Sequence, residues 1–217
     1  MARRTLSRQL IVATCIELID REGPDRFTLR RLGDVLGADP TAIYRHFRNK
    51  DELTRAVGDE ILRPLWDDLP GDEAGWRAVL RELCLRLRAA YLGHPGLTAL
   101  VAAGPPMQEN ELRLTEAMLR QLQRSGLAPA DVGMAYHAAI ELTLGAAAID
   151  GTMSLAPVDE RQAAYRRFRA TYAALDQQQF PASVASAASL WVGSADDRFA
   201  YALDRLLDGI EHGATAG

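Results

Sequence analysis

Apolar positions recur along this chain at intervals of three and four residues almost throughout, the period of helices with one buried face. Ile11, Cys15, Leu18 and Ile19 stand at i, i+4, i+7 and i+8 and predict an amphipathic helix over 7–22, stopped by Gly23-Pro24. Thr28 can cap a second helix over 29–36, and Gly37 suits a left-handed residue at its end. Asp39 caps a third, with Pro40 at its first position and an end near Phe47. Asn49 caps a fourth, with Glu52 completing something like a capping box and Leu53, Ala56, Val57 and Ile61 on its buried face. Pro64 interrupts or kinks that helix. Further helices are predicted near 74–93, 96–103, 109–125, 130–150, 159–175 and 196–212, separated by Gly- and Pro-rich stretches. The segment 177–195, with three consecutive Gln and alternating Ala and Ser, reads as a loop or a loosely packed helix. No β alternation and no internal repeat appears, so the expected fold is all-α.

Composition narrows the class. A chain of 217 residues with 48% hydrophobic content supports one large domain or two small ones, and 25% charged residues argue against general disorder. No stretch approaches the roughly 20 uninterrupted apolar residues of a membrane span, so no membrane is expected. The N-terminus leads into an amphipathic segment and not a secretory core. Two cysteines, Cys15 and Cys84, lie in unrelated segments, which fits a reducing cytoplasm. The net charge of -4 is uneven: residues 1–55 carry eleven basic side chains against eight acidic, and 56–217 carry fourteen against twenty-one. A basic head on an acidic body suggests that only the head meets a polyanion. The expected division is therefore a head, 1–55, and a body, 56–217.

Within the head, the second and third helices are joined by Gly37-Ala38-Asp39, the pattern of a helix-turn-helix. Leu32, Leu36, Ile43 and Phe47 can form the core between them. Thr41, Ala42, Tyr44, Arg45 and His46 then lie on or near the outside of a helix too short to be stable without packing. Arg45 could donate two hydrogen bonds to a guanine edge. Tyr44 and His46 could reach phosphates or, less often, bases. Lys50, the one lysine in the chain, opens the fourth helix, where its charge opposes the helix dipole unless a phosphate is near. Arg30 and Arg31, with Arg3 and Arg4 on the N-terminal arm, could hold the DNA backbone. By composition alone the same charges also read as a solvated face.

The stretch FTLRRLGDVLGADPTAIYRHFRNKDEL, Phe27 to Leu53, resembles the DNA-binding domain of the TetR family of bacterial repressors. Thr28, Leu32, Gly37, Ile43, Tyr44, His46, Phe47, Lys50 and Leu53 match that family's pattern. Gly33 departs from it, standing where Ala is usual. So does Asp39, where Ser is common. The resemblance implies a three-helix head in which Tyr44, His46 and Lys50 contact mainly the operator backbone, while Thr41, Ala42 and Arg45 lie nearest the bases. It also implies a homodimer on a palindromic operator, released by a small ligand in a C-terminal helical domain for ligand binding and dimerisation.

The body resembles, more weakly, the tetracycline-repressor subgroup over roughly 74–151. Phe199, Leu203, Leu206 and Ile210, at spacings of 4, 3 and 4, make either a seam for a partner helix or a stripe packed within one chain. Residues 130–148 are rich in small side chains. The resemblance implies that these two helices form a four-helix dimer bundle, with Ala138, Leu142 and Gly145 from the first and that seam from the second. Positions that hold polar drug contacts in the subgroup fall here at Trp66, Cys84, Leu100 and Met118. With Met107 and Tyr91 they would line a cavity for an apolar or aromatic molecule, oriented by His137 and Glu141. The alternative is that these side chains simply fill a core. His137 and Glu141 at i, i+4 have no third ligand at recognisable spacing, so no metal and no cofactor is expected. No catalytic triad, phosphate loop or Cys/His pair is present, and the chain is read as a repressor and not an enzyme. A helical enzyme, an activator and a constitutive silencer are the other readings.

Overall fold

Each of the first four helices begins where a side chain accepts from its open N–H groups. Ser7 accepts from the Leu10 amide (3.2 Å), Thr28 from Arg31 (3.0 Å), Asp39 from Thr41 (2.8 Å) and Asn49 from Glu52 (2.8 Å). Such caps contribute about 1 kcal/mol each. The computed structural model describes residues 6–97, 107–154 and 156–215. Among them are ten α-helices and no strand: α1 (Arg8–Glu22), α2 (Leu29–Leu36), α3 (Pro40–Ile43), α4 (Lys50–Leu62), α5 (Trp76–Gly93), α6 (Glu109–Arg124), α7 (Pro129–Ser154), α8 (Val158–Ala173), α9 (Pro181–Ser186) and α10 (Ala195–Thr215). The fold is all-α, as expected.

The turn between α2 and α3 is tighter than glycine propensity alone suggests. Gly37 takes the left-handed conformation at φ 61°, ψ 32°, which favours glycine. A Cβ on Gly33 would lie 2.8 Å from the Ala38 carbonyl oxygen and 3.3 Å from the Pro40 ring. The glycine that weakens α2 as a helix is therefore what lets α3 fold back so closely. α3 is shorter than the predicted 40–47. It ends at Ile43, and the chain continues as a tight turn with His46 N–H donating to Ile43 (2.9 Å) and Phe47 N–H to the same carbonyl (3.1 Å).

One continuous buried cluster runs from head to body. Ile11, Leu18, Leu32, Ile43 and Phe47 fill the head; Leu53, Val57 and Ile61 of α4 carry the core across; Leu80, Leu83, Leu87, Met118 and Leu122 continue it in the body. α10 is bound to α5 by this core and by ion pairs Arg77–Asp208 (2.6 Å) and Arg81–Asp204 (2.8 Å). α7 lies against α5, α6 and α10. It runs past the predicted end at 150 to Ser154. Asp150 is held by Arg88 (2.7 Å), and Gly151 is buried close to Pro95. By length and composition alone Pro129–Met153 could cross a membrane, but its inward stripe, Ala139, Thr143 and Ala147, packs in the core of this fold. The doubtful segment 177–195 holds α9 between turns.

Gly33→Ala tests the tight turn. Helix propensity alone would stabilise the variant by about 1 kcal/mol. The contact with a backbone oxygen should instead destabilise it by roughly 1–3 kcal/mol. Urea unfolding checks the sign, and a more stable variant would refute the packing argument.

Candidate nucleic-acid interface

α3 and the turn after it present one exposed surface. Thr41, Tyr44 and Arg45 are exposed, with Tyr44 at 52%, while Ala42 and His46 are half-buried at its edge. Ile43 and Phe47 point the other way and are buried. Arg30 and Lys50 are exposed at the rim, on the first turns of α2 and α4. Among the described residues Arg30 and Arg45 make no ion pair, and Lys50 leans over the Phe27 ring at 5.3 Å. The Thr41 hydroxyl donates to Asp39 (2.6 Å). Arg31 is not available in the same way: Glu22 accepts from it at 2.6 and 3.0 Å. Arg3 and Arg4 lie outside the described residues.

A clamp that periodicity does not reveal holds this surface. Arg8 of α1 donates to the His46 carbonyl (2.8 Å) and to Glu52 (3.1 Å) and covers the Phe47 ring at 4.1 Å. Glu52 also accepts from the Arg48 amide (2.8 Å) and its guanidinium (3.1 Å). The capping box is thus shifted: Glu52 takes the amide of Arg48, one residue before the cap. The Arg48 amide, then the Arg48 and Arg8 guanidiniums, push the Glu52 carboxyl down to about 2. Only the linkage of α1, α3 and α4 through space makes this visible. In sequence Arg8 is one exposed cation among many.

In the body, Cys84, Tyr91 and Met118 are buried in the core, where burial pushes the Cys84 thiol up to about 11 and the Tyr91 hydroxyl up to about 12. Trp66 packs at the rim, donating to Asn110 (3.0 Å) under the Arg113 guanidinium. Met107 is 61% exposed, and Leu100 lies outside the described residues. His137 and Glu141 stand on the exposed outer stripe of α7, apart from the buried set. Residues inward by the same helix are Tyr136, Ala139 and Thr143, a turn of roughly 100° away per residue. A cavity of about 790 Å³ opens elsewhere, between the ends of α5 and α7, the helix α8 and the segment before α10. Arg88, Tyr165 and Trp191 stand on its walls.

Within one protomer, the stripe of α10 is largely covered. Phe199, Leu203 and Ile210 are buried in the protomer's own core together with Leu207, because they form the stripe of α10 that faces α5 and α7. Leu206, one residue off that stripe, is half-exposed. Ala138 and Gly145 are exposed and Leu142 half-buried on α7. Ala138 and Leu206 border a shallow apolar groove of about 380 Å³ between α7 and α10.

A capped, glycine-turned helix pair with a basic outer face, carried on a larger helical body, defines a helix-turn-helix transcriptional regulator. Residues 11–57 match the family model for bacterial regulatory proteins of the tetR family, and 69–213 match the tetracyclin repressor-like C-terminal domain. The chain belongs to the TetR family: it is a ligand-responsive transcriptional repressor and not an enzyme. It is 27% identical over 220 residues to the transcriptional repressor DrrR1 of Streptomyces coeruleorubidus, covering 95% of this chain and 78% of that one. It is 32% identical over 147 residues to the class D tetracycline repressor of Escherichia coli, covering 67% and 66%. Apo ActR of Streptomyces coelicolor has the same fold, with TM-score 0.85 at 23% identity over 98% of both chains.

The clamp gives a pH prediction. Glu52 has its carboxyl below the usual 4.5, so its stabilisation is present above that value and is lost as pH falls toward 2. Wild type should therefore be more stable than Glu52→Gln at pH 7. The difference should shrink through pH 4.5 to about 2, as followed by denaturation at stepped pH. A constant difference across that window would show that the charge is not what holds the clamp.

Proposed function

We propose that the chain works as a cytoplasmic homodimer that represses by holding a palindromic operator and lets go when a small aromatic molecule binds the body. The head, 1–55, reads DNA; the body, 56–217, dimerises and binds the ligand. Arg45, with Thr41 and Ala42, faces base edges. Tyr44, His46, Lys50 and Arg30 hold phosphates. Two heads are needed because four helical residues and a turn offer few contacts to one half-site.

The observation that carries the dimer is the outer face of α7. Met134 and Ile149 are 71% and 70% exposed on α7, a long apolar helix, and Tyr201 of α10 is 69% exposed. Small residues on the same stripe, Ala138, Gly145 and Ala148, permit close helix approach. Apolar area of this kind, bordering a groove, is a surface for a partner. The faces of α7 and α10 that supply it are Ala138, Leu142, Gly145 and Leu206, with Phe199, Leu203 and Ile210 supporting them from the core. The two buried thiols suit a reducing compartment.

The dimer is tested by Ala138→Glu, at an exposed position where the monomer has room for the side chain. The variant should remain folded but become monomeric in light scattering and lose palindrome affinity. A charged residue at Leu203 would instead be buried in the protomer and unfold it. A monomer that still binds the palindrome at wild-type affinity would sink the proposal.

The DNA surface is tested by two alanines. Lys50→Ala should weaken specific and random DNA alike and reduce the salt slope by about 1. Arg45→Ala should cost about 1–3 kcal/mol on the operator and relax base preference. Equal losses on operator and random DNA for Arg45→Ala would remove it from the base-reading set.

A further inference from the structure

The 790 Å³ cavity is built unlike an ordinary apolar pocket. Four guanidiniums line it, from Arg88, Arg161, Arg166 and Arg169, against the carboxylates of Asp150 and Asp196. Both carboxylates are taken by Arg88, at 2.7 and 2.6 Å. Arg88 is only 5% exposed, and its buried Nε has no hydrogen-bond acceptor among the described residues. Arg169 donates to the Trp191 carbonyl (3.1 Å), and Arg166 has no partner among the described residues. The cavity thus has more cation than anion, with guanidinium forks suited to a planar carboxylate.

Tyr165 and Trp191 add aromatic rings to a wall that is otherwise aliphatic, with Leu92, Met153 and Val192. Trp191 stands between Phe168 and Tyr172, with ring centroids 5.2 Å from each. Its backbone is left-handed at φ 52°, an uncommon state for a tryptophan, and Arg169 fastens its carbonyl. Tyr165 is positioned by Arg198, which donates to its hydroxyl at 3.1 Å. The volume falls in the range that encloses a drug-sized molecule.

We propose that this cavity binds a planar aromatic molecule bearing a carboxylate, with the ring against Trp191 and the carboxylate toward Arg166 and the Arg88 edge. The inference rests on reading the body as the ligand-binding half, and it names the ligand's chemistry: aromatic and anionic, held by arginines. The residues Cys84, Tyr91 and Met118 are no part of it.

The test compares 2-naphthoate with neutral 2-naphthamide by calorimetry on the full-length protein, with tryptophans replaced by 5-fluorotryptophan for a fluorine NMR readout. Naphthoate should bind at least tenfold more tightly than the amide and shift the Trp191 resonance while leaving that of Trp76 in place. Arg166→Gln, at an exposed position, should weaken naphthoate about tenfold and leave the amide unchanged. Equal binding of the two probes, binding of neither, or an Arg166→Gln variant with an unchanged naphthoate-to-amide ratio would overturn the site. DNA binding without probe is measured in parallel. If naphthoate fails while wild type binds its operator, only this site is refuted; if no operator is bound, the regulator reading itself fails.

Discussion

Helix α4 belongs to both halves of the molecule, and the rest of the structure depends on that sharing. Leu53 and Val57 close the core of the head, and four residues later Ile61 and Leu62 enter the core of the body. Between them Asp59 accepts from the amides of Asn110 (2.7 Å) and Glu111 (3.1 Å) at the start of α6, while the Asn110 side chain returns a bond to the Asp59 carbonyl (3.2 Å). A carboxylate at a helix N-terminus is favourable both as acceptor and as charge. The head therefore cannot turn freely on the body. Any displacement of α6 is carried into α4 and, through Glu52, into the clamp on His46 and Phe47.

A second joint runs in parallel. Asp20 of α1 meets His94, just past α5, at 2.7 Å. Gly96 packs so closely on α1 that a Cβ would lie 3.2 Å from Ile19 and 3.3 Å from Pro24. Substituting Gly96 would thus push on the first helix of the head. The head is thus tied to the body by two joints on different helices, and packed interfaces of this kind step between arrangements and do not stretch.

The head was legible in the sequence because its determinants are local. Thr28, Gly37, Asp39, Pro40 and Asn49 each act on residues within one turn, and each takes the role its chemistry suggests. The turn after α3 was less so, because it is held by Arg8, whose guanidinium bonds the His46 carbonyl 38 residues away. In the body, spacings of three and four identified α10 but not which stripe faces inward: Leu206 and Leu207 both continue the pattern, and only the packing of α5 and α7 separates them. Core filling at Cys84 and Met118 looks the same in sequence as pocket lining, since both need apolar side chains. The cavity was invisible for a plainer reason. Its walls come from residues between 88 and 196, and no local pattern joins Arg88 to Asp150, Trp191 and Asp196.

The size of the switch can be bounded. Moving a two-state equilibrium from 1:99 to 99:1 requires a differential affinity of about 10⁴, roughly 5.5 kcal/mol. A dimer with two equal sites divides this into about 10² per site, within reach of one or two charge-assisted hydrogen bonds made in only one state. Arg88 is placed to make such a difference. It lies six residues before His94 on α5, about 9 Å along a rigid helix. It is the cation that joins α5 to α7 through Asp150 and to α10 through Asp196. In the proposed site, an anion competing for its guanidinium would weaken those two ties at one end of α5, close to the His94–Asp20 contact with the head. A neutral ligand of equal shape fills the same volume without that competition. On that proposal, charge on the ligand, more than its bulk, would decide whether binding is felt at the DNA.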